Sequence, residues 1–199
     1  MEKLSEFHLS EDPFTSFESW YLSAQKIEPN PEAMSLATID KNGFPYNRTV
    51  LYKGMLDKKI IFYTNYLSVK GNQLEENPHV SLLFYWVNEF RQIRVNGKVE
   101  KMSREKSIEY FQSRDRDSQI ASYISKQSQK ISSKDELIKL FEKTSKEFEN
   151  KPIPTPEHWG GFLVTPVEFE FFIYGKNRLN DRFLYECENN VWSCSRLQP

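Results

Sequence analysis

Ala33-Met34-Ser35-Leu36-Ala37-Thr38-Ile39 is a small, apolar run, Asp40-Lys41-Asn42-Gly43 is strong turn chemistry, and Tyr46-Asn47-Arg48-Thr49-Val50-Leu51-Tyr52 is extended again. Two extended runs flanking an Asn-Gly step predict a β-hairpin. Working outward, Lys59 to Thr64, Val80 to Trp86 and Phe90 to Val99 predict three further strands, with a short helix over Ser68 to Glu76 between the first two. Nearer the C-terminus, Gly161 to Val164, Val167 to Tyr174, Arg182 to Glu186 and Val191 to Arg196 also read as strands, the last pair joined by a Glu188-Asn189-Asn190 turn. Strands at such close spacing favour a mainly β architecture with added helices, a closed antiparallel barrel carrying them on its outside.

The helices have their own signals. Asp12 caps free amides, Pro13 fits a first turn, and Phe14, Phe17, Tyr21 and Ala24 recur at helical spacing, so a helix starts there and stops before Pro29. Ser103 opens a polar helical stretch. Ser133-Lys134-Asp135-Glu136 is a capping box leading Leu137, Leu140, Phe141, Thr144 and Phe148 along one face. Lys151 to Pro156 carries three prolines and makes a stiff connector. No repeat interrupts this order, which predicts a single domain over residues 1–199 with a flexible N-terminus over 1–11.

Composition narrows the function classes. The 27 basic and 28 acidic residues leave a net charge of -1, so no global basic field exists to hold nucleic acid or an anionic membrane. Any positive site must be local. The apolar stretches are too short to span a bilayer and the first ten residues lack a signal-peptide core, which predicts a cytoplasmic protein. Cys187 and Cys194 have no histidine cluster near them, so no metal site is expected, although the two could meet across a hairpin. The aromatic content is high, with Phe 15, Tyr 10 and Trp 4 against Gly 7, as strands favour.

Candidate chemistry sits in a few places. If Tyr110 to Ser118 is one helix, Tyr110, Arg114 and Ser118 fall on one face and offer donors suited to a phosphate. Spacing alone favours a plain solvated face, because Arg and Asp interleave there. Arg48 and Lys53 bracket an apolar strand, and strict alternation places them on opposite faces. Ser68 and Lys70 begin a helix, whose free amides accept anions. Gln92 could hydrogen-bond a flat polar ligand. His8, His79 and His158 are scattered, and no glycine-rich phosphate loop occurs.

Taken together, Asp12-Pro13, Arg48 to Lys53, Phe62-Tyr63-Thr64-Asn65, Ser81-Leu82-Leu83-Phe84, Arg91-Gln92, Ser113 to Gln119, Ser125-Lys126-Gln127-Ser128, Trp159-Gly160-Gly161-Phe162 and Arg178-Leu179-Asn180-Asp181-Arg182-Phe183 resemble the pyridoxine/pyridoxamine 5'-phosphate oxidase family over about Asp12 to Pro199. The resemblance implies an FMN-binding, Greek-key-like split β-barrel. It implies a homodimer with FMN at the subunit interface, which would let Arg48 and Lys53 serve one site despite facing apart. By matching positions, FMN contacts would come from Arg48, Thr49, Val50, Leu51, Tyr52, Lys53, Tyr63, Thr64, Val69, Lys70, Gln92, Gln127, Ser128, Phe172 and Arg182. Lys53, Tyr110, Arg114 and Ser118 would hold the substrate phosphate, so on this point the resemblance outweighs spacing, which by itself favours a solvated face. Arg178 and Asn180 would be catalytic and would touch the pyridine ring.

The implied reaction oxidises pyridoxamine 5'-phosphate or pyridoxine 5'-phosphate to pyridoxal 5'-phosphate, passing a hydride from C4' to flavin N5, with O2 as acceptor and H2O2 as product. Three positions depart from the family pattern. Asn180 replaces a histidine, Val69 replaces a second basic residue before Lys70, and Phe172 replaces a tryptophan. Two alternatives follow: an FMN oxidase of the same fold acting on another small substrate, or a non-catalytic carrier of FMN or pyridoxal phosphate.

Overall fold

The computed structural model describes residues 9–199. Helix α1 (Pro13–Ala24) precedes strands β1 (Ala33–Ile39), β2 (Pro45–Leu51), β3 (Met55–Leu56) and β4 (Lys59–Asn65). Helix α2 (Val69–Glu76), strands β5 (His79–Trp86) and β6 (Arg91–Lys101), and helices α3 (Arg104–Ser113), α4 (Arg116–Ile124) and α5 (Lys134–Glu147) follow. Strand β7 (Trp159–Ile173), a short 3-10 turn over Lys176–Arg178, and strands β8 (Asp181–Glu188) and β9 (Val191–Leu197) complete the described chain. The strands run in the order β2-β1-β5-β6-β7-β4-β3, with β8 on β7 and β9 on β8. Every pairing is antiparallel. Just past β2, Lys53 N donates to Ile61 O (2.9 Å) and Ile61 N to Gly54 O (3.0 Å), so the two ends of the strand path meet and the sheet closes.

Helix α1 plugs the barrel. The Asp12 side chain accepts from Phe14 N and Pro13 fills the first turn, as the sequence predicts. Phe14, Phe17 and Trp20 then meet Phe169, Phe84 and Phe171 edge-on, with centroids 5.1 to 5.2 Å apart. Each such buried ring contributes roughly 1.5–3 kcal/mol through the apolar surface it removes from water. A second apolar cluster of Phe111, Ile120, Ile153 and Trp159 fixes the later helices to the outside of β7.

Several expectations change. The two strands predicted over 161–174 are one, because the register shift at Asn96/Gly97 absorbs Pro166, and a Cβ on Gly97 would lie 2.5 Å from Thr165 O. The helix predicted through Tyr110 to Ser118 breaks at Arg114, which is extended (φ -75°, ψ 156°). Asp115 causes the break, since its carboxylate accepts from Ser118 N (2.8 Å) and caps a new helix. Helix α5 is capped by Ser133, but Leu137 and Leu140 stay exposed and only Thr144 is buried, with Phe148 edge-on to Tyr123. Cys187 and Cys194 are free, standing opposite Trp192 and Tyr185. The expected flexible segment lies outside the described residues up to position 8. Beyond it, Ser10 is tied to Ser16 Oγ (2.9 Å) through its amide and to Tyr185 Oη (2.8 Å) through its carbonyl.

Candidate active site

Three elements converge on a pocket of about 220 Å³. The end of β2 with Lys53 forms one wall, the ends of β4 and α2 supply Tyr63, Thr64 and Lys70, and α3 with the loops after α3 and α4 brings Tyr110, Arg114 and Gln127 against Trp159. Thr49, Val50 and Leu51 line the same space. Each enters for a local reason. Ser68 caps α2 by accepting from Gly71 N (3.2 Å), which aims Lys70 inward. The loop after α4 is held down by Asn65 Nδ2 donating to Ser125 O (2.9 Å), and Ser128, at φ 72°, accepts from Val69 N (3.4 Å).

The electrostatics are one-sided. Lys70 is only 8% exposed, and its Nζ donates to three neutral oxygens, Thr64 Oγ1 (3.1 Å), Gln127 Oε1 (3.3 Å) and Ser68 Oγ (3.5 Å). Burial, with Arg48 nearby, pushes its pKa down to about 8. Arg48 donates to Leu36 O, Thr38 Oγ1 and Gln73 Oε1, again neutral, and burial lowers its pKa. Arg114 stacks its guanidinium 5.0 Å from the Trp159 ring centroid and donates to Ser122 Oγ (2.7 Å). Among the described residues, none of Arg48, Lys53, Lys70 and Arg114 forms a salt bridge. Asp115 acts on Arg114 electrostatically without forming an ion pair, and cations held by neutral partners make a candidate anion site, because a bound phosphate would supply the missing counter-charge.

The pocket wall is aromatic. Tyr63 stacks on Tyr110 at 3.8 Å and on Trp159 at 5.3 Å, with planes within 10°. Burial and the neighbouring Tyr110 push the Tyr63 phenol up to about 12, so it stays a neutral donor at physiological pH.

The remaining expected residues fall elsewhere. Gln92 pairs with Phe172 and Phe172 with Arg182, so these three occupy one row across β6, β7 and β8. Along β7, the eleven steps from Gly161 (opposite Tyr63) to Phe172 cover about 35 Å of strand. Arg178 and Asn180 lie beyond that row. Arg178 is exposed with φ 63°, and Asn180 Oδ1 accepts from Gly175 N (2.9 Å), closing a loop so tight that a Cβ on Gly175 would meet Leu179 O at 1.8 Å. Tyr52 turns its ring into the core, 4.9 Å from Tyr21. Ser118 is outside the pocket lining, its hydroxyl engaged by Asp115. Val69 is exposed at the first turn of α2. Sequence reasoning missed Trp159 as a site wall, and missed Gln73, which accepts from both Thr38 and Arg48. The three-residue spacing of Gln73 from Lys70 on α2 is the signal that could have found it.

A closed barrel with outer helices and a cationic, ring-walled pocket at their seam defines a split-barrel protein built to take a phosphorylated aromatic ligand. Residues 23–148 match the family described as pyridoxamine 5'-phosphate oxidase, and residues 159–199 match the pyridoxine 5'-phosphate oxidase C-terminal dimerisation region. The chain is 44% identical over 195 residues to the pyridoxine/pyridoxamine 5'-phosphate oxidase of Aliarcobacter butzleri, covering 96% of this chain and 91% of that protein. It is 45% identical over 192 residues to the Escherichia fergusonii protein of the same name, covering 96% and 88%. Among solved structures, PhzG from Burkholderia lata in complex with tetrahydrophenazine-1-carboxylic acid superimposes with a TM-score of 0.90 at 26% identity, covering 96% of this chain and 94% of that one. A pyridoxamine 5'-phosphate oxidase-related, FMN binding protein from Nostoc punctiforme has the same fold, with a TM-score of 0.77 at 21% identity over 96% of this chain and all of that one (100%). The chain belongs to the pyridoxine/pyridoxamine 5'-phosphate oxidase family. Among the described residues, no helix is long and apolar enough to cross a membrane.

Proposed function

We propose that this chain is an FMN-dependent oxidase that converts pyridoxamine 5'-phosphate and pyridoxine 5'-phosphate into pyridoxal 5'-phosphate, using O2 and releasing H2O2. The observation that carries this reading is the set of Lys53, Lys70 and Arg114 around one pocket, with Arg48 outside the lining but close to Lys70, and none of the four in a salt bridge among the described residues. Two phosphates, one on the cofactor and one on the substrate, suit such a surplus. Arg48 and Lys70, with Thr64, Gln127 and Ser128, would hold the flavin phosphate. Lys53, Tyr110 and Arg114 would hold the substrate phosphate, and Ser118 could join them only by releasing Asp115. The bound flavin supplies the hydride acceptor. The chain's own groups bind and orient, so anchoring a remote phosphate contributes to alignment of the reacting carbon.

The protein works as a cytoplasmic homodimer, each chain folding as a single domain. Gln92, Phe172 and Arg182 lie about 35 Å of strand away from the pocket of their own chain and would complete the site of the other copy. The matched dimerisation region, 159–199, contains Phe172, Arg182, Arg178 and Asn180, which supports this division of labour. Arg178 and Asn180 would reach the pyridine ring from that same segment.

The test is aerobic incubation of the FMN-loaded protein with each phosphorylated vitamer, following aldehyde and peroxide together. Both products should form in equal amounts. Full FMN content with no flavin reduction by either compound would overturn the assignment. Asn180 favours a second reading, an FMN oxidase for another small substrate, because its amide oxygen is engaged by Gly175. Reduction of the flavin only by an unphosphorylated compound would establish that reading instead.

A further inference from the structure

Glu170 is a carboxylate in the middle of a phenylalanine-rich strand, 4% exposed, on a stretch where Phe169 and Phe171 face the core and Glu168, Glu170 and Phe172 face the other way. Its two oxygens are divided between two arginines. Oε2 accepts from Arg94 Nη2 (2.6 Å) and Nε (3.2 Å), while Oε1 accepts from Arg182 Nε (2.7 Å) and pairs with its Nη2 (2.6 Å). Arg94 is anchored a second time on Glu168 Oε1 (2.7 Å), which also accepts from Asn96 Nδ2 (2.9 Å). Arg182 thus has two of its three nitrogens fixed by Glu170, with Nη1 on Gln198 O (3.1 Å) and its guanidinium carbon 5.9 Å from the Phe172 centroid. Burial alone would raise the Glu170 carboxyl, yet the hydrogen bonds from Arg94 and Arg182 hold it below the usual carboxylate range, so it is ionised at working pH.

A surface arginine on a sheet normally samples many rotamers, and a ligand that needs it in one place must order it on binding. Here folding has already ordered it. We infer that Glu170, braced by Arg94, is a positioning residue that fixes the Arg182 guanidinium beside Phe172 and Gln92 for the cofactor. This rests on the proposed role of Arg182 in holding FMN. The bracing extends over three strands, since Arg94, Glu170 and Leu184 are register partners next to the Gln92, Phe172 and Arg182 row. It needs no contact between Glu170 and the ligand.

A double-mutant cycle on FMN affinity tests it. The dissociation constant is read from quenching of flavin fluorescence in the parent chain, Glu170→Gln, Arg182→Met and the double variant, after circular dichroism has shown each to be folded. Glutamine keeps the volume and removes the charge. Glu170→Gln should weaken FMN about tenfold in the parent and less than about twofold when Arg182 is already methionine. Additive losses would mean that Glu170 merely supports the fold and would overturn the inference while leaving the proposed function intact. An unchanged constant in Glu170→Gln, or in Arg182→Met, would also overturn it. A parent chain that takes up no FMN would overturn both readings. Should Glu170→Gln fail to fold, Arg94→Met takes its place in the cycle, and the same non-additivity is expected.

Discussion

Arg114 lays its guanidinium on the indole of Trp159, 5.0 Å from the ring centroid, while its Nη1 donates to Ser122 Oγ at 2.7 Å. A cation placed this way is stacked and only half-exposed, and burial lowers its pKa, while a guanidinium in a protein keeps its proton. It is therefore a fixed, permanent charge in the wall of the pocket.

Arg114→Ala should raise KM for the phosphorylated substrates by ten- to about 150-fold, the equivalent of about 1.5–3 kcal/mol for a charge-assisted contact. FMN content should stay within about twofold of the parent. Steady-state kinetics and flavin absorbance measure the two effects separately, and equal loss of both would remove Arg114 from the substrate clamp.

Lys70 sets stability against binding. In the free protein it is a buried ammonium beside Arg48 with neutral partners alone. Lys70→Met should raise the melting temperature of the FMN-free chain, by about 1–3 kcal/mol of stability, and weaken FMN at least tenfold. The pH dependence has a definite sign. With its pKa near 8 in the free protein, Lys70 is protonated below that pH and must gain a proton to meet a phosphate above it. FMN affinity should hold steady below pH 8 and fall above it, by up to about tenfold per unit. Titration of affinity between pH 6 and 10 gives the curve, which should flatten in Lys70→Met.

Val69 is exposed in the first turn of α2, one residue before Lys70 and with its amide on Ser128 Oγ. Val69→Arg adds a donor where the helix amides already favour an anion. FMN should bind more tightly, by up to about tenfold at low salt, with the gain shrinking as salt rises. Affinity that does not change at any ionic strength would show that this position faces away from the phosphate.

Asn180 cannot titrate, and its amide oxygen accepts from Gly175 N. Asn180→His restores an imidazole at the edge of the Arg178 loop. FMN affinity should remain within about twofold while kcat or its pH profile changes. Identical pH-rate profiles would make the difference between amide and imidazole immaterial.

Much of this is readable along the chain because it depends on neighbours in sequence. The hairpin around Asn42-Gly43, the Asp12-Pro13 start of α1, and the Ser133 cap are each decided within a few residues. The break at Arg114 is also local, yet the sequence pattern hides it, because Asp115 resembles one more charge in a solvated face rather than a cap. The fate of α5 cannot be read along the chain at all. Its sequence pattern is strongly amphipathic, but whether Leu137 and Leu140 are covered depends on what stands opposite them.

Residue types and their order determined that this chain makes an antiparallel barrel with outer helices, since turn chemistry, alternation and capping are properties of a linear string, while the expectation of a phosphate pocket came from the family motifs and not from spacing. Only the tertiary structure decided that the expected cofactor residues form two groups, one around Lys70 and one along the Gln92, Phe172 and Arg182 row. It alone joined Glu170 to Arg94 and Arg182, turned Tyr52 into the core and brought Trp159 under Arg114. The reason is physical: charge pairing and ring stacking act over a few ångströms of space, and strand register, not sequence distance, sets which side chains come that close.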